Sequence, residues 1–142
     1  ANQVRAAGEE WGLEPLTTAE FELTDSFNGH SLSIVACGLA EHCCYYRGPH
    51  SGGAVLVAFS GVPEEVFAPV TEQKFVALTM QCIQQFSVDH KLFVESFLLW
   101  NGTPYEWQDL TVTAHFKDDL IIEFEIVDSF WRIKCMKNTG RM

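Results

Sequence analysis

The residues best able to do chemistry crowd into one short stretch: Cys37, His42, Cys43, Cys44 and His50. Thiolates and imidazoles are soft donors, and zinc takes four such groups in a tetrahedron. Cys37, His42, Cys44 and His50 are therefore the candidate metal ligands. Their spacing argues against a site, because there is no Cys-x-x-Cys and no His-x-x-x-His. Neighbours on a strand also alternate between faces, so an inward Cys43 leaves His42 and Cys44 pointing outward together. Most of these cysteines read as small apolar packing residues, and no metal or other cofactor is expected.

A cysteine nucleophile is the chemical alternative. Cys43 or Cys44 would attack, with His42 adjacent, or with His30, His50 or His115 brought in by the fold as the base. A thiolate needs a nearby positive charge, and Arg47 is the one cation close in sequence. Nothing supplies a third member, so no catalytic residue is assigned. Gly29-His30-Ser31-Leu32-Ser33 resembles a nucleophile elbow but ends in serine, and the glycine reads as part of a turn. The acid pairs Glu64-Glu65 and Asp118-Asp119 read as solvated turns. Residues 48–53 are glycine-rich but lack the lysine and following helix of a phosphate loop.

The elements that must position these residues follow from periodicity. Residues 1–16 read as an N-terminal arm or short helix, with Pro15 restricting the residue before it. Residues 21–27 and 31–37 alternate around Asn28-Gly29, the strongest short signal for a hairpin. Residues 42–47 read as a further strand and 54–60 as a central strand buried on both faces. Residues 70–87 form one amphipathic helix, with Thr71 as N-cap and Phe75, Leu78, Thr79, Cys82, Ile83 and Phe86 on its apolar stripe. Residues 91–136 return to antiparallel strands. Asn101-Gly102 reads as a second hairpin turn, which would set Trp107 opposite Ser96, and the sequon Asn101-Gly102-Thr103 is read as that turn rather than a glycosylation site.

The last hairpin has a testable register. With Asp128-Ser129 as its loop, Ile126 faces Trp131, Phe124 faces Ile133 and Ile122 faces Cys135. On the opposite face Glu125 meets Arg132 and Glu123 meets Lys134, so apolar and charged pairs match together. A turn at residues 117–119 adds Val112, Ala114 and Phe116 to the apolar face. Thr111, Thr113, His115, Glu123, Glu125, Arg132 and Lys134 then share the wetter face, with Ile121 near its centre. The expected fold is α+β: a twisted or curved antiparallel sheet of about seven to eight strands packed on one long helix, in a single domain over residues 1–142.

The chain has 142 residues and a formal net charge of −10. That sign repels phosphate backbones and anionic lipid, so neither nucleic acid nor membrane is an expected partner. The five cysteines, two of them adjacent, read as reduced thiols of a cytoplasmic or nuclear protein without a signal peptide. Tyr45 and Tyr46 must face opposite ways on a strand, which leaves one outside. These features lead to a non-enzymatic protein-interaction domain of a larger intracellular or viral protein. It would bind a protein partner or a second copy through Tyr45, Tyr46, Thr113, His115, Glu123, Glu125, Arg132 and Lys134. The alternatives are a cavity for a small apolar ligand under a curved sheet and, behind it, a cysteine-dependent hydrolase or transferase.

Overall fold

A computed structural model describes residues 2–140. The chain divides into two compact units, Ala1–Phe67 and Ala68–Met142. The fold is α+β with antiparallel sheets, as expected, but among the described residues the strands number six. They form one sheet of two strands and one of four, where a single sheet of about seven to eight is expected from the alternation of the sequence.

In the first unit, the stretch expected as an arm or short helix forms two helices, α1 (Asn2–Trp11) and α2 (Glu14–Thr17). Gly12, at φ 66°, ends α1 in the left-handed conformation that glycine adopts without strain. Pro15 opens α2 rather than ending a helix, because a proline in the first turn forfeits an N–H that has no helical partner anyway. Residues 21–27 form neither strand nor helix. Helix α3 (Gly29–Ala40) occupies the stretch expected as the second strand. Leu32, Val35, Ala36 and Leu39 fall at helical spacing and are half-buried, whereas Ile34, which the alternating pattern favours equally, is exposed.

Asn28-Gly29 is therefore no hairpin turn. Asn28 caps α3: its Oδ1 accepts from the N–H groups of His30 (3.0 Å) and Ser31 (3.1 Å), and its own N–H donates to Ser31 Oγ (3.0 Å). Gly29 is needed for close approach. A Cβ there would stand 2.6 Å from Leu56 Cδ1. The helix thus lies on the hairpin of β1 (Cys44–His50) and β2 (Gly53–Phe59), which pair from Cys44↔Phe59 to His50↔Gly53. Strand β1 starts at Cys44 and continues past the expected end at residue 47 to His50, and β2 is one of two strands rather than a central one. A 3-10 turn, Glu64–Phe67, follows.

In the second unit, α4 (Glu72–Gln85) matches the expected helix, with Thr71 as its N-cap. Phe75 and Thr79 are fully buried, but Cys82 and Phe86 are only half-buried. A second helix, α5 (His90–Asn101), replaces the strand expected over residues 92–100 and the Trp107–Ser96 pairing with it. Asp89 Oδ1 accepts from Leu92 N–H (2.8 Å) as the N-cap, and Gly102 at φ 67° is the left-handed C-cap. The second Asn-Gly is thus also a helix end. Leu92, Leu99 and Trp100 stay exposed, so this helix is apolar almost all round and shows no clear period.

Strands β3 (Tyr105–Gln108), β4 (Thr111–His115), β5 (Asp119–Val127) and β6 (Phe130–Asn138) form a consecutive antiparallel sheet. The last hairpin keeps the expected pairs Ile126↔Trp131, Glu125↔Arg132 and Phe124↔Ile133. A register shift between Glu123 and Phe124 then moves Glu123 opposite Cys135 and Ile122 opposite Met136, in place of Lys134 and Cys135. The β4–β5 turn pairs His115 with Asp119 around residues 116–118, the expected length but one residue earlier, so that cross-strand partners move by two and the faces are preserved because side chains alternate with period two. Val112, Ala114, Leu120, Ile122 and Phe124 form the core with Phe75, Val94 and Leu98.

Candidate functional site

The cysteine-rich stretch spans the end of α3 and the start of β1. Burial, and then the neighbouring Cys43 and Cys44, hold the Cys37 thiol above its ordinary pKa, the wrong direction for a nucleophile. All five cysteines are free. Among the described residues, no group of three or more His, Cys, Asp or Glu side chains is placed to hold a metal ion. His42 Nδ1 lies 3.1 Å from Glu64, and His50, at the far end of the hairpin from Cys44, accepts from Gly52 N–H (3.2 Å). His30 meets the Tyr45 hydroxyl at 3.3 Å. Neither Cys43 nor Cys44 bonds to a histidine among the described residues. His115 belongs to the second unit.

The wet face of the four-stranded sheet carries the expected residues, but most are engaged within it. Thr113 pairs with Ile121, and both are half-buried. His115 Nδ1 is 2.8 Å from Asp119 Oδ1 and its Nε2 is 3.8 Å from Glu106. The Asp119 hydrogen bond chiefly raises its pKa above the ordinary histidine value. Glu123 accepts from Lys137 Nζ (2.8 Å) and Cys135 Sγ (3.3 Å), and these hydrogen bonds hold its carboxyl below the usual range. Arg132 stands across from Glu125 but reaches the Val88 carbonyl (3.1 Å). Lys134 and Glu125 are exposed.

At another edge of this unit, Lys91 Nζ lies 4.6 Å from the Trp131 ring and 5.1 Å from Trp107. Those two rings stand nearly perpendicular, at 86°. Asn101, taken as a turn residue in the sequence, is buried. Its Oδ1 accepts from Val70 N–H (2.6 Å), while Nδ2 donates to the Val70 carbonyl (3.2 Å) and Thr103 Oγ1 (2.8 Å). Every polar atom of that amide is occupied.

The β1–β2 hairpin presents a different surface. Strand alternation sorts Tyr45, Arg47, Ala54, Leu56 and Ala58 to one face and Cys44, Tyr46, Val55, Val57 and Phe59 to the other. Helix α3 takes the first face, through Gly29 against Leu56 and His30 against Tyr45. The second face is open: Tyr46 is 66% exposed, Val55 56%, Val57 52% and Phe59 43%. Of the two tyrosines, Tyr46 is thus the outer one. Sequence reasoning missed Val55, Val57 and Phe59. The available signal was that β2 is apolar on both faces, so that a strand without a second covering layer must expose half of it.

Acids stand at one end of this face. Glu41 and His42 precede β1 at successive positive φ angles of 52° and 50°, and the Glu64–Phe67 turn returns beside them, with Phe67 4.9 Å from the His42 ring. The first unit carries two cations, Arg5 and Arg47, against nine acids, a net −7, while the second carries seven against ten, a net −3. Elsewhere in the first unit, α1 and α2 flank a shallow open depression of about 530 Å³ that includes Arg5, Glu9 and Glu14 in its lining. Those charges do not suit an apolar ligand.

Residues 1–62, within the first unit, match a family described as of unknown function, DUF6882. No curated protein and no solved structure matches the chain. Among the described residues, no helix is long and apolar enough to cross a membrane.

Proposed function

We propose that this chain works by binding another protein rather than by catalysis, as an interaction domain of a larger intracellular or viral protein. The observation that carries the reading is the open hairpin face of Tyr46, Val55, Val57 and Phe59. A contiguous apolar patch costs solubility and is the usual mark of an interaction surface, with aromatic side chains as its anchors. The wet face of the four-stranded sheet supports the reading less strongly, since His115, Glu123 and Arg132 already have partners within the second unit. The free thiols suit a reducing compartment, the cytoplasm or nucleus.

The test compares the unaltered protein with Val57→Glu, which places a charge at the centre of the face. Proteins recovered from host extract are identified by mass spectrometry, alongside thermal melting of both forms. Loss of specific proteins from the variant, with an unchanged melt, upholds the reading. Identical sets of recovered proteins overturn it.

A further inference from the structure

The β1–β2 sheet has two strands, so each leaves one edge of backbone N–H and C=O groups unpaired. The two edges differ. Strand β1 carries Arg47 and Pro49, and proline removes an N–H from any ladder. Strand β2 is Gly-Ala-Val-Leu-Val-Ala-Phe, seven residues without a charge or proline, and its pairing with β1 has no register shift. These are the devices that proteins use to stop edge pairing, and β2 has none of them. Among the described residues, no backbone hydrogen bond from outside the hairpin reaches β2.

We propose that β2 accepts a third strand from a partner protein: an extended segment that alternates apolar and polar side chains and carries lysine or arginine beside Phe59. This inference rests on the hairpin being the binding surface and adds how it binds and what it selects. Backbone pairing along β2 supplies the ladder, and the partner's alternate apolar side chains continue the open sheet face formed by Val55, Val57 and Phe59. Charge selects the partner. Glu41, Glu64 and Glu65 are exposed at the end of the hairpin where β1 begins and β2 finishes, and the unit as a whole is net −7. A second copy on this edge would bring two such units together, whereas a cationic segment is drawn to them.

The test pans a random peptide display library against the whole chain, then measures the enriched peptides by fluorescence anisotropy. Enriched sequences should alternate, with a basic cluster at one end. Their affinity should fall about fivefold or more in Glu64→Gln/Glu65→Gln, consistent with the loss of two exposed charge contacts. Methylating alternate peptide amides should abolish binding in one register and spare it in the other, because only every second N–H faces β2. Enriched peptides without basic residues, binding indifferent to the glutamine variant, or indifference to methylation in both registers would overturn the proposal. So would light scattering that shows a dimer dispersed by Val57→Glu. Each of those results leaves the hairpin standing as a binding surface if Val57→Glu still abolishes association. Absence of any binder, with no effect of Val57→Glu on host partners, removes both readings.

Discussion

Residues 68–142 bury Phe75, Val94, Leu98, Val112, Ala114 and Ile122 completely, while among the described residues of 1–67 the buried apolar side chains are Ala7 and Leu16. The two units are similar in length and both contain helices and an antiparallel hairpin. The difference lies in layering. The second unit packs two helices against one face of a four-stranded sheet, so Phe75, Val94 and Leu98 meet strand residues from the other side. The first unit sets one helix against two strands and leaves the other strand face bare. Ordering a residue's backbone costs about 1–2 kcal/mol, and buried apolar area returns about 25 cal/mol per Å². A unit with an open apolar face has part of that return still to gain, and a partner can supply it. Local devices such as the Asn28 cap and the close approach at Gly29 hold its elements in place meanwhile.

The comparison breaks most directly at the core. Phe75→Ala should lower the free energy of unfolding by about 3–5 kcal/mol, as for buried aromatics in general. Val57→Ala on the open face should change it by less than about 0.5 kcal/mol. Denaturant titration of the two variants measures both, and an equal loss at Val57 would mean that its face is packed in the free chain.

Asn101→Ala should cost about 2 kcal/mol, because it removes a buried amide and leaves the N–H and carbonyl of the half-buried Val70 without partners. Faster hydrogen exchange at the Val70 amide would accompany the loss. A neutral result would show that water replaces the amide and that the second unit is looser than its packing implies. A smaller effect, of opposite sign, is expected at Thr79. Its hydroxyl is buried without a hydrogen-bond partner, so Thr79→Val should stabilise by about 1 kcal/mol, read as a higher denaturant midpoint.

The smallest effect is electrostatic and belongs to the wet face. The raised pKa of His115 means that its bond to Asp119 stabilises the fold fully below the ordinary histidine pKa of 6.5. That contribution is lost as pH rises through the raised value. His90 behaves oppositely: burial, then Arg132, lowers its pKa, and its Nδ1 accepts from Ile133 N–H (3.0 Å). Its contribution is present above 6.5 and lost as pH falls through the lowered value. An NMR titration of Asp119→Asn should bring His115 back toward its ordinary value and leave His90 where it was. A shift in both would couple two groups that the structure separates.

How legible the sequence was depends on whether local pattern and burial agree. They agree from Thr71 to Gln85 and from Thr111 to Lys134. There an amphipathic helix and three strands each turn one apolar side to a single core, and the Glu125↔Arg132 register follows from the alternation. They disagree in residues 29–40 and 90–101. Ser31-Leu32-Ser33-Ile34 satisfies a period of two as well as one of 3.6, and α5 is apolar on nearly every side. Both Asn-Gly pairs served helix ends, since an asparagine oxygen caps a helix start and glycine takes a left-handed C-cap as readily as a hairpin turn. Of the candidate site, the outward placement of one tyrosine was legible, and its neighbours Val55, Val57 and Phe59 were not.

From the sequence alone came the acidic character, the α+β class, the helix after Thr71 and the pairing of the last hairpin from its turn as far as Phe124, because each depends on residues adjacent in the chain or on a parity that a turn preserves. The tertiary structure alone decided which apolar residues have a covering layer. Val57 and Val112 are the same residue type on antiparallel strands, yet one is 52% exposed and the other is fully buried. The physical reason is that burial belongs to the arrangement of layers and not to the residue. A strand records its own alternation, but nothing in its local pattern says whether a helix or a sheet will lie across it.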